Sequence, residues 1–331
     1  MQIFFRADGN SEIGLGHITR SMALAEMLSP EFEAIFLVQN PSKSLKAKIT
    51  EAYELLELPA TQNYTTEAEQ IAQQYLSSET VIVLDGYHFR TDYQRTLKAA
   101  GAKVVCIDDL HAWHFEADAV INHAEGVSPQ LYSCEPYTRL FLGIKYALLR
   151  YPFREAAKKR TTSKKSVSKV LICFGGADPL NLTSKMTELC LQVSRLMQVH
   201  VVLGSAYTFK DKFISFAQSH RVIQHHENLG AGEMCRLMQT CDVAITPASG
   251  IAYEVLATHT PWIGGYYTDN QRGIYEGLKV QQAIYGDLGD FRTLNTAYFL
   301  QMLHSEKLPN VPRLIDETTE SRIKDIFTGL C

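Results

Sequence analysis

Short apolar runs alternate along the chain with longer stretches in which apolar residues recur every three or four positions. The runs at 2–5, 34–38, 81–84, 103–107, 119–121 and 139–142 predict strands. Several are apolar throughout, the pattern of strands covered on both faces. Between them, Ile18, Met22, Ala25 and Leu28 share one face of a first predicted helix. Residues near 42–57, 66–77 and 89–100 predict further helices. This βαβα order predicts a parallel sheet flanked by helices.

The pattern breaks at residues 158–169, which read KKRTTSKKSVSK. The segment is basic, hydroxyl-rich and nearly free of apolar residues. It reads as a solvated linker rather than a nucleic-acid patch, because nothing else in the chain supports such a patch. Beyond it the strand–helix pattern restarts, with strands predicted at 169–174, 199–203, 222–224, 242–245 and 262–263. Helices are predicted at 182–197, 207–220, 232–240, 251–257, 271–276 and along the C-terminal stretch. The chain therefore reads as α/β, with two doubly wound domains over residues 1–155 and 156–331. Ligands of such sheets bind beyond the carboxyl ends of the strands. With two such domains facing each other, the active site is expected in a central cleft.

Composition changes this picture little. Of 331 residues, 46% are hydrophobic and 21% charged, which is ordinary globular usage. The net charge of -4 gives no global reason to bind nucleic acid or an anionic membrane, so any bound anion needs a local site. An Arg, an Asp and a Glu fall within the first twelve residues, unlike a secretory signal. The apolar runs are too short to span a bilayer. The expected location is the cytoplasm and the expected state a monomer. The seven cysteines are odd in number and contain no CxxC pair, so they read as free thiols.

Candidate chemistry concentrates in loops that follow strands. The first, RADGNSEIGLGHITR, leads from strand to helix. Gly14 and Gly16 permit a tight turn and close backbone approach to a ligand. His17 falls at the helix start, where the positive end of the helix dipole favours the neutral imidazole that a general base needs. A lone histidine near a helix start is more commonly a cap or a packed residue. Arg6 and Asp8 share the loop; Asp8 either orients a histidine ring or closes an Asx-turn. The spacing does not match GxGxxG, so no dinucleotide is expected. In the second half, Gly175 and Gly176 open a turn suited to an anion, or a plain strand–helix turn. Ser249 reads as a helix N-cap, and Gly250 lets a phosphate approach the first-turn amides. Glu254 lies one turn on, placed either for the hydroxyls of a ribose or on a solvated face. Asn270 and Gln271 open a further helix and could present amides to a sugar. No Walker motif occurs. Asp108-Asp109, His111 with His114, and His225-His226 are the candidates for a metal; none has strong ligand spacing, so neither metal nor cofactor is expected.

These segments resemble a known family. RADGNSEIGLGHITRSMALAEML, GGADPLNLT and TPASGIAYEVLATHTPWIGGYYTDNQ are similar to motifs of the UDP-sugar hydrolases of pseudaminic acid biosynthesis, the PseG family. LDGYHF, IDDL, VINH and GIKYALLR fit between them in order. A broader resemblance is to MurG-like glycosyltransferases. The resemblance implies the GT-B fold, two Rossmann-like domains about a cleft. It implies metal-independent, inverting hydrolysis of UDP-2,4-diacetamido-2,4,6-trideoxy-β-L-altropyranose to UDP and the free sugar. A MurG-like transferase passing the sugar to an acceptor is the alternative. Under the resemblance His17 is the catalytic base and Tyr87 positions sugar or water. Ser249, Gly250 and Glu254 hold diphosphate and ribose, and Asn270 contacts sugar or phosphate.

Overall fold

The computed structural model describes residues 2–9, 15–159, 166–305, 308 and 312–330. It divides into two compact units, Met1–Arg150 with Thr318–Cys331, and Tyr151–Glu317.

The first unit is built on seven parallel strands: β1 (Gln2–Ala7), β2 (Glu33–Gln39), β3 (Glu54–Leu58), β4 (Val81–Asp85), β5 (Lys103–Ile107), β7 (Ala119–Asn122) and β9 (Arg139–Leu142). Two-residue strands β6 (His114–Phe115) and β8 (Ser133–Cys134) pair with each other. The main sheet runs β3-β2-β1-β4-β5-β7-β9. Its helices are α1 (Gly16–Leu28), α2 (Lys43–Thr50), α3 (Tyr64–Tyr75) and α4 (Thr91–Ala99), joined by the C-terminal α12 (Thr319–Thr328). Both faces are buried, which explains why the strands are apolar without alternation. Ile3, Phe5, Phe36, Val81 and Val83 enter one core. Phe4, Ile35, Leu37, Ile82 and Leu84 enter the other.

The second unit begins with α5 (Tyr151–Ala157) and continues through β10 (Lys169–Ile172), α6 (Leu182–Cys190), β11 (Gln198–Leu203), α7 (Lys210–Gln218), β12 (Ile223–Glu227) and α8 (Ala231–Thr240). It ends with β13 (Val243–Pro247), α9 (Gly250–Ala257), β14 (Trp262–Tyr266), α10 (Asp269–Val280), β15 (Ile284–Asp290) and α11 (Thr296–Leu303). Its sheet runs β12-β11-β10-β13-β14-β15, again all parallel. Each sheet reverses its winding beside its first strand, between β1 and β4 in one and between β10 and β13 in the other. That reversal opens a crevice at the carboxyl ends, where ligands of such folds bind.

Four expectations change. The helix predicted over 182–197 ends at Cys190. The helix predicted over 42–57 stops at Thr50, and Glu54–Leu58 is an edge strand. Its Leu and Glu residues are helix formers, but pairing with β2 overrides that preference. Strand β15 was unpredicted: IYGDLGD carries two glycines and two aspartates, and it pairs with β14 through register shifts. The C-terminal α12 (Thr319–Thr328) belongs with the first unit rather than with residues 156–317. Its Ile323, Ile326 and Phe327 are buried in the core that also contains Leu24 and Leu28 of α1. Lys324 pairs with Glu31 at 3.0 Å. Among the described residues no helix is long and apolar enough to cross a membrane.

Candidate active site

The ends of β1 and β4 meet at the reversal point of the first sheet. Ala7 and Asp85, the last residues of their strands, are register partners. This brings Asp85 beneath the first turn of α1, where His17 lies buried. The His17 Nδ1 stands 2.7 Å from Asp85 Oδ1. Asp85 is itself wholly buried and accepts three further hydrogen bonds. Arg20 donates from Nε (2.7 Å) and Nη2 (2.6 Å), and Ser21 Oγ donates at 3.2 Å. Arg20 Nη2 also lies 3.1 Å from His17 Nδ1. The carboxylate is the stronger acceptor, so the arrangement favours a proton on Nδ1 shared with Asp85 and leaves Nε2 as the acceptor.

The charges fit this assignment. Burial opposes ionisation of Asp85, but the Arg20 cation and the hydrogen bonds from His17 and Arg20 hold its carboxyl below the usual range. Burial likewise opposes the Arg20 charge, yet Asp85 and Asp109 more than offset it and raise the guanidinium above its ordinary value. Arg20 Nη1 reaches Asp109 Oδ2 at 3.0 Å, so one guanidinium ties the ends of β4 and β5 together. Tyr87 stands edge-on to the His17 ring, centroids 4.8 Å apart, with its hydroxyl 3.4 Å from Asp109 Oδ2. Burial, then the Asp109 charge, push the Tyr87 phenol up to about 12, which keeps it a neutral donor. His123, after β7, is half-buried, and its pKa falls to about 4 through desolvation and the nearby Arg20.

The structure changes the roles of several expected residues. Asp8 does not orient His17. It pairs with Arg6 at 2.7 Å and accepts the Gln39 amide at 2.8 Å; Asp85 takes the orienting role. Arg6 is fully buried and offers no surface to a substrate. It is held by Glu67 on α3 at 2.9 Å and lies over the Phe89 ring. It therefore ties Asp8, just after β1, to α3 from within. Gly16 is exposed at the start of α1, and a Cβ there would meet nothing within 4 Å. Gly14 lies outside the described residues.

In the second unit the corresponding loops follow β10 and β13. Gly175 has φ +82°, in the left-handed region that glycine tolerates. The following turn approaches Gly204 so closely that a Cβ there would sit 2.2 Å from the Gly175 and Gly176 carbonyl oxygens. The first two amides of α6 are already taken, however. Buried Asp178 already accepts from Leu182 N (2.9 Å) and Thr183 N (2.7 Å). Helix α9 is different. Ser249 stands at its N-cap, but its side chain makes no capping hydrogen bond. The extended Ser249 backbone (φ -143°, ψ -168°) leads into Gly250, which is exposed and whose Cβ position is open. Thus α9, not α6, presents an uncapped positive end. Glu254 lies one turn along α9, near enough to Cys173 that its charge, after burial, helps raise that thiol to about 11. Asn270 is exposed with its Oδ1 accepting from Thr268 Oγ1 at 2.6 Å. Gln271 is buried and folds back to accept the Tyr267 amide at 3.0 Å, so it faces its own loop.

The metal candidates find other partners. Asp108 accepts from Leu110 N, His111 N and Tyr132 Oη and so shapes its own loop. His114 meets Ser133 and Glu135, and His226 meets His200. Among the described residues no three His, Cys, Asp or Glu side chains gather as a metal site would require.

No protein-family model matches the chain. Its sequence is 25% identical over 320 residues to the uncharacterized protein MJ1062 of Methanocaldococcus jannaschii, covering 92% of this chain and 63% of that one. The chain thus spans less than two thirds of that relative's length. It is 25% identical over 288 residues to the UDP-2,4-diacetamido-2,4,6-trideoxy-β-L-altropyranose hydrolase of Campylobacter jejuni, covering 82% of this chain and 93% of that protein. The crystal structure of MurG from Acinetobacter baumannii superposes with a TM-score of 0.61 at 11% identity, covering 99% of both chains. Two parallel doubly wound sheets and this likeness give the chain the GT-B fold.

Proposed function

We propose that the protein hydrolyses a UDP-linked diacetamido-trideoxy sugar, in the reading the motifs suggest UDP-2,4-diacetamido-2,4,6-trideoxy-β-L-altropyranose, and releases UDP. The observation that carries this reading is the His17–Asp85 pair at 2.7 Å, set at the reversal point of the first sheet. A 25% identical relative named as that hydrolase supports the substrate class.

The chemistry follows from the residues. Nε2 of His17 takes a proton from water as the water oxygen bonds to the anomeric carbon. The bond from that carbon to the phosphate oxygen breaks, and its electron pair leaves with UDP. Attack opposite the departing phosphate inverts the anomeric centre. Asp85 stabilises the imidazolium formed, and the proton then passes to solvent. Within the second unit, the uncapped end of α9 at Gly250 has the amides and positive dipole that suit a diphosphate, and Glu254, one turn on, suits the hydroxyls of a ribose. Asn270 remains the exposed amide for sugar or phosphate.

The test is incubation of the protein with that sugar nucleotide in oxygen-18 water, with chelator and no acceptor. The expected result is label on the anomeric oxygen of the inverted sugar and none in UDP. Label in UDP would mean cleavage of the P–O bond and would overturn the mechanism. Binding without turnover, relieved only by an added sugar acceptor, would convert the reading to glycosyl transfer.

A further inference from the structure

The adjacent aspartates Asp108 and Asp109 look alike in sequence but differ in the fold. Asp108 is buried and both its oxygens accept hydrogen bonds from the β5 loop and Tyr132. Asp109 uses only Oδ2, which takes the Arg20 and Tyr87 donors. Its Oδ1 is buried and has no hydrogen-bond partner. A buried carboxylate oxygen without a donor is costly, and native folds rarely leave one so. The side chain as a whole is 28% exposed although Oδ1 is not, so a donor reaches Oδ1 by displacing what covers it. It stands behind Tyr87, whose ring contacts the His17 imidazole.

We propose that Asp109 is a sugar-recognising residue of this site: its Oδ1 accepts a hydrogen bond from a hydroxyl or acylamino N–H of the sugar whose anomeric carbon lies at His17. The inference rests on the nucleotide-sugar reading above and extends it to the sugar's own contacts. An ionised carboxyl only accepts, so the matching group must be a donor. Arg20 fixes the carboxyl plane by holding Oδ2, and it is held in turn by Asp85. The recognising oxygen is therefore preset by the same guanidinium that supports the base. Because UDP lacks the sugar, Asp109 contributes to binding of the sugar nucleotide and not to binding of UDP.

The experiment compares affinities for UDP-2,4-diacetamido-2,4,6-trideoxy-β-L-altropyranose and for UDP by calorimetry, in a His17→Ala background that does not turn substrate over. In Asp109→Asn the amide oxygen stays with Arg20, which turns the amide NH2 toward the sugar donor. The expected result is a loss of about ten- to a hundredfold in sugar-nucleotide affinity, with UDP affinity within twofold. Should that variant fail to fold, Asp109→Ser gives the same comparison. Unchanged affinity for the sugar nucleotide, or a parallel loss for both ligands, overturns the proposal. So does a parent protein that binds no sugar nucleotide. Hydrolysis by the wild type, run separately, judges the reaction. A wild type that binds without hydrolysing ends the hydrolase reading, and the affinity ratio still decides Asp109.

Discussion

Replacing Asp85 by Asn tests the proposed base most directly. Oδ2 of Asp85 receives Arg20 Nε and Ser21 Oγ, while Oδ1 receives His17 Nδ1 and Arg20 Nη2. An asparagine oxygen can serve only one of these positions. Set at Oδ2, it puts its NH2 against His17 Nδ1. Nδ1 must then accept, the imidazole proton moves to Nε2, and the nitrogen that should take a proton from water no longer can. A well-placed general base contributes about 10²–10⁴-fold, and the wrong tautomer in a His–Asp pair costs about 10⁴-fold in kcat in the protease template. The expected fall in kcat for Asp85→Asn is therefore about 10²–10⁴-fold, with UDP affinity unchanged. Stability falls less, by about 1–3 kcal/mol, because Arg20 keeps its pairing with Asp109. The assay is UDP release under saturating substrate, with UDP binding and thermal unfolding as controls. The double variant with His17→Ala should be no slower than His17→Ala alone, because the two side chains act as one unit. A folded Asp85→Asn protein with kcat within threefold of wild type would refute the dyad.

Other consequences can be checked separately. Gly250→Ala adds a methyl into open space at a helix start, so stability should hold within about 0.5 kcal/mol, whereas UDP affinity in calorimetry should drop tenfold or more. Asp178→Ala removes the acceptor for two α6 amides and should cost about 1–2 kcal/mol in chemical denaturation, with Asp178→Asn costing less. Phe327→Ala should cost about 3–5 kcal/mol in the first unit, because the ring is fully buried in a core far from it in sequence. His123 has a folded pKa of about 4, below its unfolded value, so the unfolded chain binds more protons between about pH 4 and 6.5. Stability should fall as pH drops through that window, by at most about 1.4 kcal/mol per unit, and His123→Gln should flatten the slope in denaturation curves taken at several pH values.

Sequence pattern revealed the fold where local signals and long-range contacts agreed. The buried strands β1, β4 and β5 are apolar on both faces, so their runs stood out. The edge strands β3 and β15 did not, because an edge tolerates the Glu, Asp and Gly residues that otherwise mark helices and loops. Nor does anything local in TESRIKDIFT say which unit α12 joins; only the partners of Ile323 and Phe327 decide it.

The same division runs through the site. His17 stood out because it lies in a glycine-bearing loop directly after an apolar strand, whereas Tyr87 was singled out only through the family resemblance. The role of Arg6 was hidden for the opposite reason: its partner Glu67 lies on α3, and no spacing links them. Asp85 carried a usable signal, an acid ending a strand of otherwise apolar residues. Chain order alone could not pair it with His17, because 68 positions separate them. Topology does so. A right-handed crossover from β1 through β2 and β3 fills one side of β1 and leaves β4 to start the other. The carboxyl ends of β1 and β4 are then neighbours, and the first helix's opening turn must sit above the last residue of β4. Once the strands are read as parallel and doubly wound, an acid at that position is the natural partner for a histidine at the start of α1.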